Sequence, residues 1–305
     1  MKQQDKLKML QDNWPLNGRR CTMEKIVITN INRESIILGN QAPYFLEILD
    51  GVGNVPVTIE SQKAPKQDGS TYIDNTLENR AISIEGMIIT RSNPNEVLKY
   101  RRKMQRVLNP KLGEVTITYY HEDKIKEIKA IAETTPIFPS GQGSKGLFYQ
   151  KYLLHLLCHQ PFWLDTYYES REMSYLMGGL NFRLSLPTNF SNRGFKRKAA
   201  NVGDVYTPVE IEFKGPATNP TVTNETTGEF IKVNRELGEQ DILTVSTAFG
   251  EKYVRINGKN AFHYIDLDSV FWQLVPGDNI LSYQSNNDSI KTRVKVKWKS
   301  RYIGL

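Results

Sequence analysis

Short segments of alternating apolar and polar residues recur throughout residues 201–305 of this chain. In residues 209–213 Val, Ile and Phe alternate with two glutamates, and in residues 294–299 two valines and a tryptophan alternate with three lysines. About nine such segments follow one another at spacings of roughly 8 to 12 residues, separated by turn sequences such as Asn257-Gly258. Strands of this kind bury one face and end at tight turns. We therefore predict that residues 201–305 form a β-sandwich domain.

A second sheet-based domain, with one helix packed against it, is predicted for residues 23–162. Apolar residues with a period of two mark its strands, for example in residues 115–120. Residues 92–108 differ, because their apolar side chains recur at helical spacing. These side chains are Val97, Tyr100, Met104, Val107 and Leu108. The predicted fold is therefore mainly β: a barrel-like or split-sheet domain with one α-helix over residues 92–108, followed by the sandwich.

The length of the chain fits this division. A chain of 305 residues, 39% hydrophobic and 24% charged, is long and apolar enough for two buried cores. Between the two domains, residues 163–200 are predicted to be a linker with connecting strands. Residues 1–22 are either an arm that docks on a neighbour or a disordered extension, and translation could begin at Met1 or at Met23. They contain no apolar segment typical of a secretory signal.

The charge balance argues against nucleic-acid recognition. The net charge is +7, but the 40 basic and 33 acidic residues are well mixed along the chain. We also expect no membrane span, because no apolar run approaches the roughly twenty residues that a membrane helix needs. The two cysteines, Cys21 and Cys158, are far apart in the sequence, and we expect two separate thiols rather than a disulfide.

Residues 57–90 contain two predicted half-buried strands joined by a long connection. A connection of roughly eighteen residues exceeds what a compact domain needs, and such loops are usually functional or disordered. Its mixture of charged, aromatic and aliphatic side chains suits either a mobile surface loop or a surface that a neighbouring subunit covers. The candidate subunit contacts are Lys63, Pro65, Asp68, Tyr72, Leu77 and Arg80.

The sequence contains no recognisable catalytic motif. A nucleophile elbow, a phosphate-binding loop and a dinucleotide fingerprint are all absent. His155 and His159 would lie about 13 Å apart on a strand, too far to share a metal ion. Asp266 and Asp268 could form a carboxylate pair, although ordinary surface acids are the plainer interpretation. We therefore expect no catalytic residue, no metal and no cofactor.

Several short motifs resemble the distal tail protein (Dit) family of long-tailed, siphovirus-type phages and prophages. The pieces that match the family's N-terminal signature are Ala64-Pro65, Asp68-Gly69, Tyr72 and Leu77-Glu78-Asn79-Arg80. A strand ending at Cys158, followed by Pro161-Phe162-Trp163, is similar to the end of the family's first domain. The pieces that resemble its galectin-like sandwich are Asn201-x-Gly203-Asp204, Pro208-Val209-Glu210-Ile211 and Pro276-Gly277-x-Asn279.

This resemblance implies a structural virion protein rather than an enzyme. In that family, six copies form a ring that joins the tail tube to the baseplate or tail tip. The implied partners are copies of the same chain, a tail tube protein, a tape-measure protein and a tail-tip or tail-lysin protein. Residues 23–162 would form the ring, the 63–80 loop would contact the next subunit, and a galectin-like sandwich would project outward. The protein would be made in the bacterial host cytoplasm.

Two other functions are compatible with a β-sandwich. The chain could bind host cell-wall carbohydrate through exposed aromatic side chains, for which Trp272 and Trp298 are the candidates, although both residues also fit a core. A β-rich hydrolase fused to a sandwich is the weakest interpretation, because no catalytic motif supports it.

Overall fold

The computed structural model describes residues 24–91, 93–122, 124–174, 195–287 and 291–305. Within these ranges the chain is mainly β, with one α-helix and two short 3-10 helices. The predictions for residues 1–22, and for the thiol of Cys21, fall outside the described residues. In the described part of the chain, no helix is long and apolar enough to cross a membrane.

The strands fall into an N-terminal and a C-terminal group. The strands of the first group are β1 (Lys25–Thr29), β2 (Ser35–Leu38), β3 (Tyr44–Asp50), β4 (Val57–Gln62), β5 (Thr71–Leu77), β6 (Arg80–Ile89), β7 (Val115–His121), β8 (Lys124–Ala132), β9 (Tyr149–Cys158) and β10 (Trp163–Asp165). Those of the second group are β11 (Glu169–Ser174), β12 (Phe195–Asn201), β13 (Thr207–Lys214), β14 (Ala217–Thr218), β15 (Thr221–Asn224), β16 (Glu229–Lys232), β17 (Glu236–Leu237), β18 (Ile242–Ser246), β19 (Tyr253–Ile256), β20 (Lys259–Asn260), β21 (Gln273–Leu274), β22 (Gly277–Gln284), β23 (Arg293–Trp298) and β24 (Arg301–Tyr302). The 3-10 helices are Pro110–Leu112 and Phe262–Tyr264.

The first group of strands forms a sheet that curves back on itself. Its order is β2-β1-β7-β8-β9-β6-β3, with β10 beside β8 and β24 beside β10. A parallel bridge between Gly39 and Phe45 brings the end of β2 next to β3. The sheet therefore nearly closes, and side chains such as Ile28, Ile84 and Trp163 fill its interior. The predicted barrel-like domain is confirmed.

The predicted helix is also confirmed, as α1 (Pro94–Val107). Asn93 caps it by accepting a hydrogen bond from the Asn95 N–H at 2.9 Å, and Pro94 occupies the first turn, where its missing N–H costs nothing. The helix packs against β2 and β6. Met104 and Val107 are fully buried there, so the apolar face was assigned correctly.

The second group of strands forms the predicted β-sandwich. One sheet has the order β11-β23-β13-β18-β19-β20, with β21 beside β13, and the other has the order β12-β22-β15-β16. Alternate residues point inward along each strand, as in β13, where Val209, Ile211 and Phe213 are buried. These side chains belong to one apolar cluster that also contains Trp272 and Trp298.

The segment between the barrel and the sandwich contributes strands to both. Within residues 163–200, β10 pairs with β8 of the barrel, whereas β11 and β12 pair with β23 and β22 of the sandwich. The extreme C-terminal strand β24 departs from the predicted sandwich domain, because it pairs with β10 and so extends the barrel sheet. The final residues thus tie the sandwich back to the barrel.

Candidate subunit interface

Residues 57–77 form a β-hairpin rather than the predicted long loop. Strands β4 and β5 pair with each other and with no other described strand. The predicted first strand is confirmed, but its predicted burial is wrong, because every residue of β4 is exposed. The second half of the predicted loop is β5, so that only residues 63–70 connect the strands. A lone two-stranded hairpin in water is marginally stable at best.

The hairpin has one apolar and one polar face, because residues opposite each other across two strands share a face. Val57 lies opposite Leu77, Ile59 opposite Asn75 and, beyond a register shift, Ser61 opposite Tyr72. Val57, Ile59 and Tyr72 are 48%, 65% and 58% exposed, so the apolar face is largely open to water. The side-chain amide of Asn75 donates a hydrogen bond to the Tyr72 hydroxyl, which holds this ring on that face.

Two carboxylates lie opposite each other on the polar face. Glu60 is the cross-strand partner of Asp74. Neither side chain has an ion pair among the described residues. Like charges directly opposite each other destabilise a strand pair. A cation supplied from outside the hairpin would relieve this repulsion.

The tip of the hairpin carries three of the predicted contact residues. Lys63, Pro65 and Asp68 are all exposed. The turn is held by Gln67, whose main-chain N–H donates to the Ala64 carbonyl at 3.1 Å and whose side-chain oxygen accepts from the Ala64 N–H at 3.0 Å. The tip is therefore an ordered, solvent-facing turn.

Arg80 is not an interface residue, and its prediction as one is wrong. It is fully buried at the start of β6, below the base of the hairpin. Its guanidinium donates hydrogen bonds to five main-chain carbonyls, those of Gly51, Val52, Asn54, Pro161 and Ile303. Burial lowers the pKa of Arg80, although the carbonyl oxygens stabilise the charge. Arg80 therefore anchors the loop before the hairpin. Leu77, at the same end, is half-buried.

The two candidate carbohydrate contacts are core residues. Trp272 and Trp298 are each 1% exposed and belong to the apolar cluster between the sandwich sheets. A sugar ring stacks on an exposed aromatic face, so neither side chain is available. The carbohydrate interpretation based on these two residues is therefore wrong. The alternation of residues 294–298 already placed Trp298 on the inward face with Val294 and Val296.

Two of the residues weighed for chemistry, His155 and Asp266, have ordinary partners. His155, on β9, lies 3.5 Å from the Ser83 hydroxyl. Asp266 pairs with Lys232 at 2.9 Å and accepts from Asn234, and these contacts lower the pKa of Asp266 to about 2. Across the described ranges, no cluster of three or more His, Cys, Asp or Glu residues has metal-binding geometry.

Two family models match the chain. One is described as a phage tail protein RIFT-related domain and matches residues 31–158, and the other as a siphovirus-type tail component, C-terminal domain, and matches residues 202–302. The crystal structure of the SPP1 Dit protein, described as a paradigm of hub adsorption apparatus in Gram-positive infecting phages, superposes with a TM-score of 0.65 at 12% identity, covering 90% of this chain and 98% of that one.

The chain belongs to the siphovirus distal tail protein family. Like other distal tail proteins, it is a structural component of the tail hub. Two structures of the phage p2 baseplate in its activated conformation are also similar, and each covers 93% of this distal tail protein and 99% of the matched chain. The structure with Ca has a TM-score of 0.52 at 10% identity, and the one with Sr has 0.53 at 12%. No curated protein matches significantly.

Sequence reasoning missed two features of this distal tail protein. The acidic pair Glu60 and Asp74 was not singled out, although a hairpin register would have placed the two residues opposite each other. The carbonyl cluster around Arg80 has no local signal, because its acceptors come from residues 51–54, 161 and 303.

Proposed function

We propose that this distal tail protein assembles into a hexameric ring that joins the tail tube to the baseplate or tail tip. The observation that carries the proposal is the hairpin formed by β4 and β5, whose apolar face is exposed. A subunit that remained alone would leave Val57, Ile59 and Tyr72 in water. Full burial of an exposed aliphatic side chain contributes about 1.5–3 kcal/mol, and these side chains, which are about half exposed, would contribute roughly half of that.

The geometry is compatible with a ring. The hairpin is a projecting element, and the chain has a separate body with its own surface to receive it. An interface between two different surfaces of the same chain is heterologous, and it generates a closed ring when the rotation between copies closes. Six copies are proposed because the family resemblance implies a hexamer.

The barrel and the sandwich would then have different tasks. The barrel carries the hairpin and would form the ring, whereas the sandwich would project outward as a platform for other tail components. By family resemblance, we propose the tail tube protein, the tape-measure protein and the tail-tip or tail-lysin protein as neighbours. The protein would be made in the host cytoplasm, enter the virion and act without catalysis.

A pair of identical substitutions at two exposed isoleucines tests the assembly. Ile59→Asn places an amide on the apolar face of the hairpin, whereas Ile280→Asn places the same amide on a sandwich strand. We expect sixfold rings of the wild type and of Ile280→Asn in negative-stain images. We expect Ile59→Asn to shift the light-scattering mass to that of single chains. Both variants should keep the wild-type circular dichroism spectrum, because Ile59 and Ile280 are 65% and 47% exposed.

Two outcomes would count against the proposal. A wild-type protein that remains a single chain at all concentrations tested would contradict ring formation. Rings that form equally well with Ile59→Asn would show that the apolar face of the hairpin does not hold the subunits together.

A further inference from the structure

A groove on the barrel has the chemical character that the hairpin requires. It lies between the paired strands β1 and β2 on one side and α1 on the other, and its volume is about 570 Å³. Three tyrosines and an isoleucine supply its aromatic and apolar lining: Tyr44, Tyr100, Tyr120 and Ile37. Ile37 is 54% exposed and Tyr100 and Tyr120 are half-buried, so these three side chains are open to a partner, whereas Tyr44 is buried.

The groove is preorganised by contacts within the barrel. The Tyr44 hydroxyl donates to the main-chain carbonyl of Tyr100 at 3.0 Å, and the two rings meet edge to face with centroids 5.8 Å apart. These contacts fix α1 against the start of β3. An entering side chain would therefore meet a surface that is already ordered, which limits the entropy cost of binding.

Two lysines give the groove a positive character. Lys25 and Lys103 both line it, and neither forms an ion pair with another described residue. The Lys25 ammonium lies 4.3 Å from the centroid of the Tyr120 ring. Glu24 is the one acid among the described residues that line the groove, and its carboxylate accepts a hydrogen bond from the Tyr119 hydroxyl at 2.9 Å. The groove thus offers two cations to an acidic partner.

The hairpin and the groove lie at opposite ends of β3. The groove includes Pro43 and Tyr44, where β3 begins, whereas the hairpin follows Asp50, where β3 ends. Seven residues of extended strand separate these points by roughly 20 Å. One copy could therefore donate its hairpin at one end while it receives a neighbour's hairpin at the other. This is the arrangement that a head-to-tail ring requires.

We propose that the groove between β1–β2 and α1 receives the hairpin of a second copy of this chain. Glu60 and Asp74, on the polar face of the incoming hairpin, pair with Lys25 and Lys103. The pairing relieves the repulsion between the two opposed carboxylates. This inference rests on the proposed ring, because it names the surface that each subunit presents to its neighbour.

Charge reversal on each side tests the pairing. Glu60→Lys with Asp74→Lys should raise the concentration at which half of the chains are assembled at least tenfold, measured by light scattering at 50 mM salt. Lys25→Glu with Lys103→Glu should do the same. The variant with all four substitutions should recover assembly, because the charges are complementary again. The matched control for the hairpin variant is Glu133→Lys with Glu251→Lys, which makes the same change in net charge at exposed positions outside the hairpin and the groove lining.

A cross-link provides an independent measurement. In a Cys21→Ser background, Ile37→Cys combined with Ile73→Cys should give disulfide-linked chains up to the full ring on mild oxidation, since both positions are exposed. Ile73→Cys alone should give at most disulfide-linked pairs of chains, because each chain then has only one exposed introduced cysteine.

The outcomes separate this inference from the proposed function. If the wild type forms rings, yet the charge-reversed hairpin assembles at the wild-type concentration and no cross-linked ladder appears, the groove is not the receiving surface and the ring stands. If the wild type forms no ring, the proposed function fails and this inference fails with it.

Discussion

The guanidinium of Arg80 donates a hydrogen bond to the main-chain carbonyl of Ile303, which lies 223 positions further along the chain. The same guanidinium bonds to the carbonyls of Gly51, Val52 and Asn54, in the segment that leads into the hairpin. One buried side chain therefore joins the base of the hairpin to the end of the chain. We therefore expect this cluster to set the orientation of the hairpin.

Replacing Arg80 with lysine should destabilise the barrel. An ammonium group has three donors and no planar fork, so it cannot bond to all five carbonyls, and the unpaired ones remain buried. We expect a loss of about 3 kcal/mol in the free energy of unfolding, measured by urea titration. Arg91→Lys, at an exposed position, is the control and should change it by less than about 0.5 kcal/mol. Equal stability of the two variants would contradict the anchoring role.

A side chain at Gly86 should destabilise the barrel. It lies on β6 opposite Leu46, and a Cβ at Gly86 would come within 2.1 Å of the Phe45 carbonyl oxygen and 2.4 Å of the Tyr152 hydroxyl. Tyr152 is buried and bonded to that same carbonyl, so it cannot move aside easily. We expect Gly86→Ala to lower the free energy of unfolding by about 1–3 kcal/mol. Gly53→Ala, with nothing within 4 Å, should be nearly neutral.

Substitution of Trp272 should lower the stability of the sandwich and should not change carbohydrate binding. It is buried in the sandwich core, so Trp272→Phe removes packed atoms and leaves a cavity. We expect a loss of about 2 kcal/mol in a chemical denaturation curve, whereas Phe249→Leu at a 68% exposed site should cost little. Reduced retention on cell-wall polymers by folded Trp272→Phe, with unchanged stability, would revive the carbohydrate interpretation.

Cys158 should be protected from alkylation in the folded protein. Burial raises the pKa of its thiol from 9.0 to about 12, although the neighbouring Arg80 guanidinium acts in the opposite direction. Because the unfolded state loses this proton near pH 9, the contribution of Cys158 to stability is complete below pH 9 and is lost as the pH rises toward 12.

The measurement is the rate of iodoacetamide labelling in a Cys21→Ser background. Labelling of Cys158 should remain slow up to pH 10 in the folded protein and become fast in urea. Ser61→Cys, at an exposed position of the hairpin, should be labelled quickly under both conditions in the same background. Rapid labelling of folded Cys158 at pH 8.5 would contradict its burial.

Periodicity was enough to locate most strands and the helix. The alternation in residues 209–213 and the helical spacing from Val97 to Leu108 reflect which side chains meet the core, and both predictions agree with the structure. The hairpin was misjudged for a related reason. Alternation in residues 57–62 shows that a strand has an apolar face, but it does not show whether that face meets the chain's own core or another chain.

Long-range contacts explain the remaining errors. Arg80 lies in a polar segment and is preceded by exposed Glu78 and Asn79, so nothing local distinguishes a buried guanidinium from a surface one. Its burial follows from carbonyls contributed by three distant segments. The pairing of β24 with β10 likewise joins residues at the end of the chain to the barrel, and no local pattern in residues 301–302 indicates it.

Native mass spectrometry of the wild-type chain tests the central claim most directly. We predict a dominant species with six times the 35.0 kDa mass of one chain, and its conversion to single chains by Ile59→Asn under identical conditions. A wild-type spectrum containing only single chains, or a two-chain species that persists with Ile59→Asn, would contradict it.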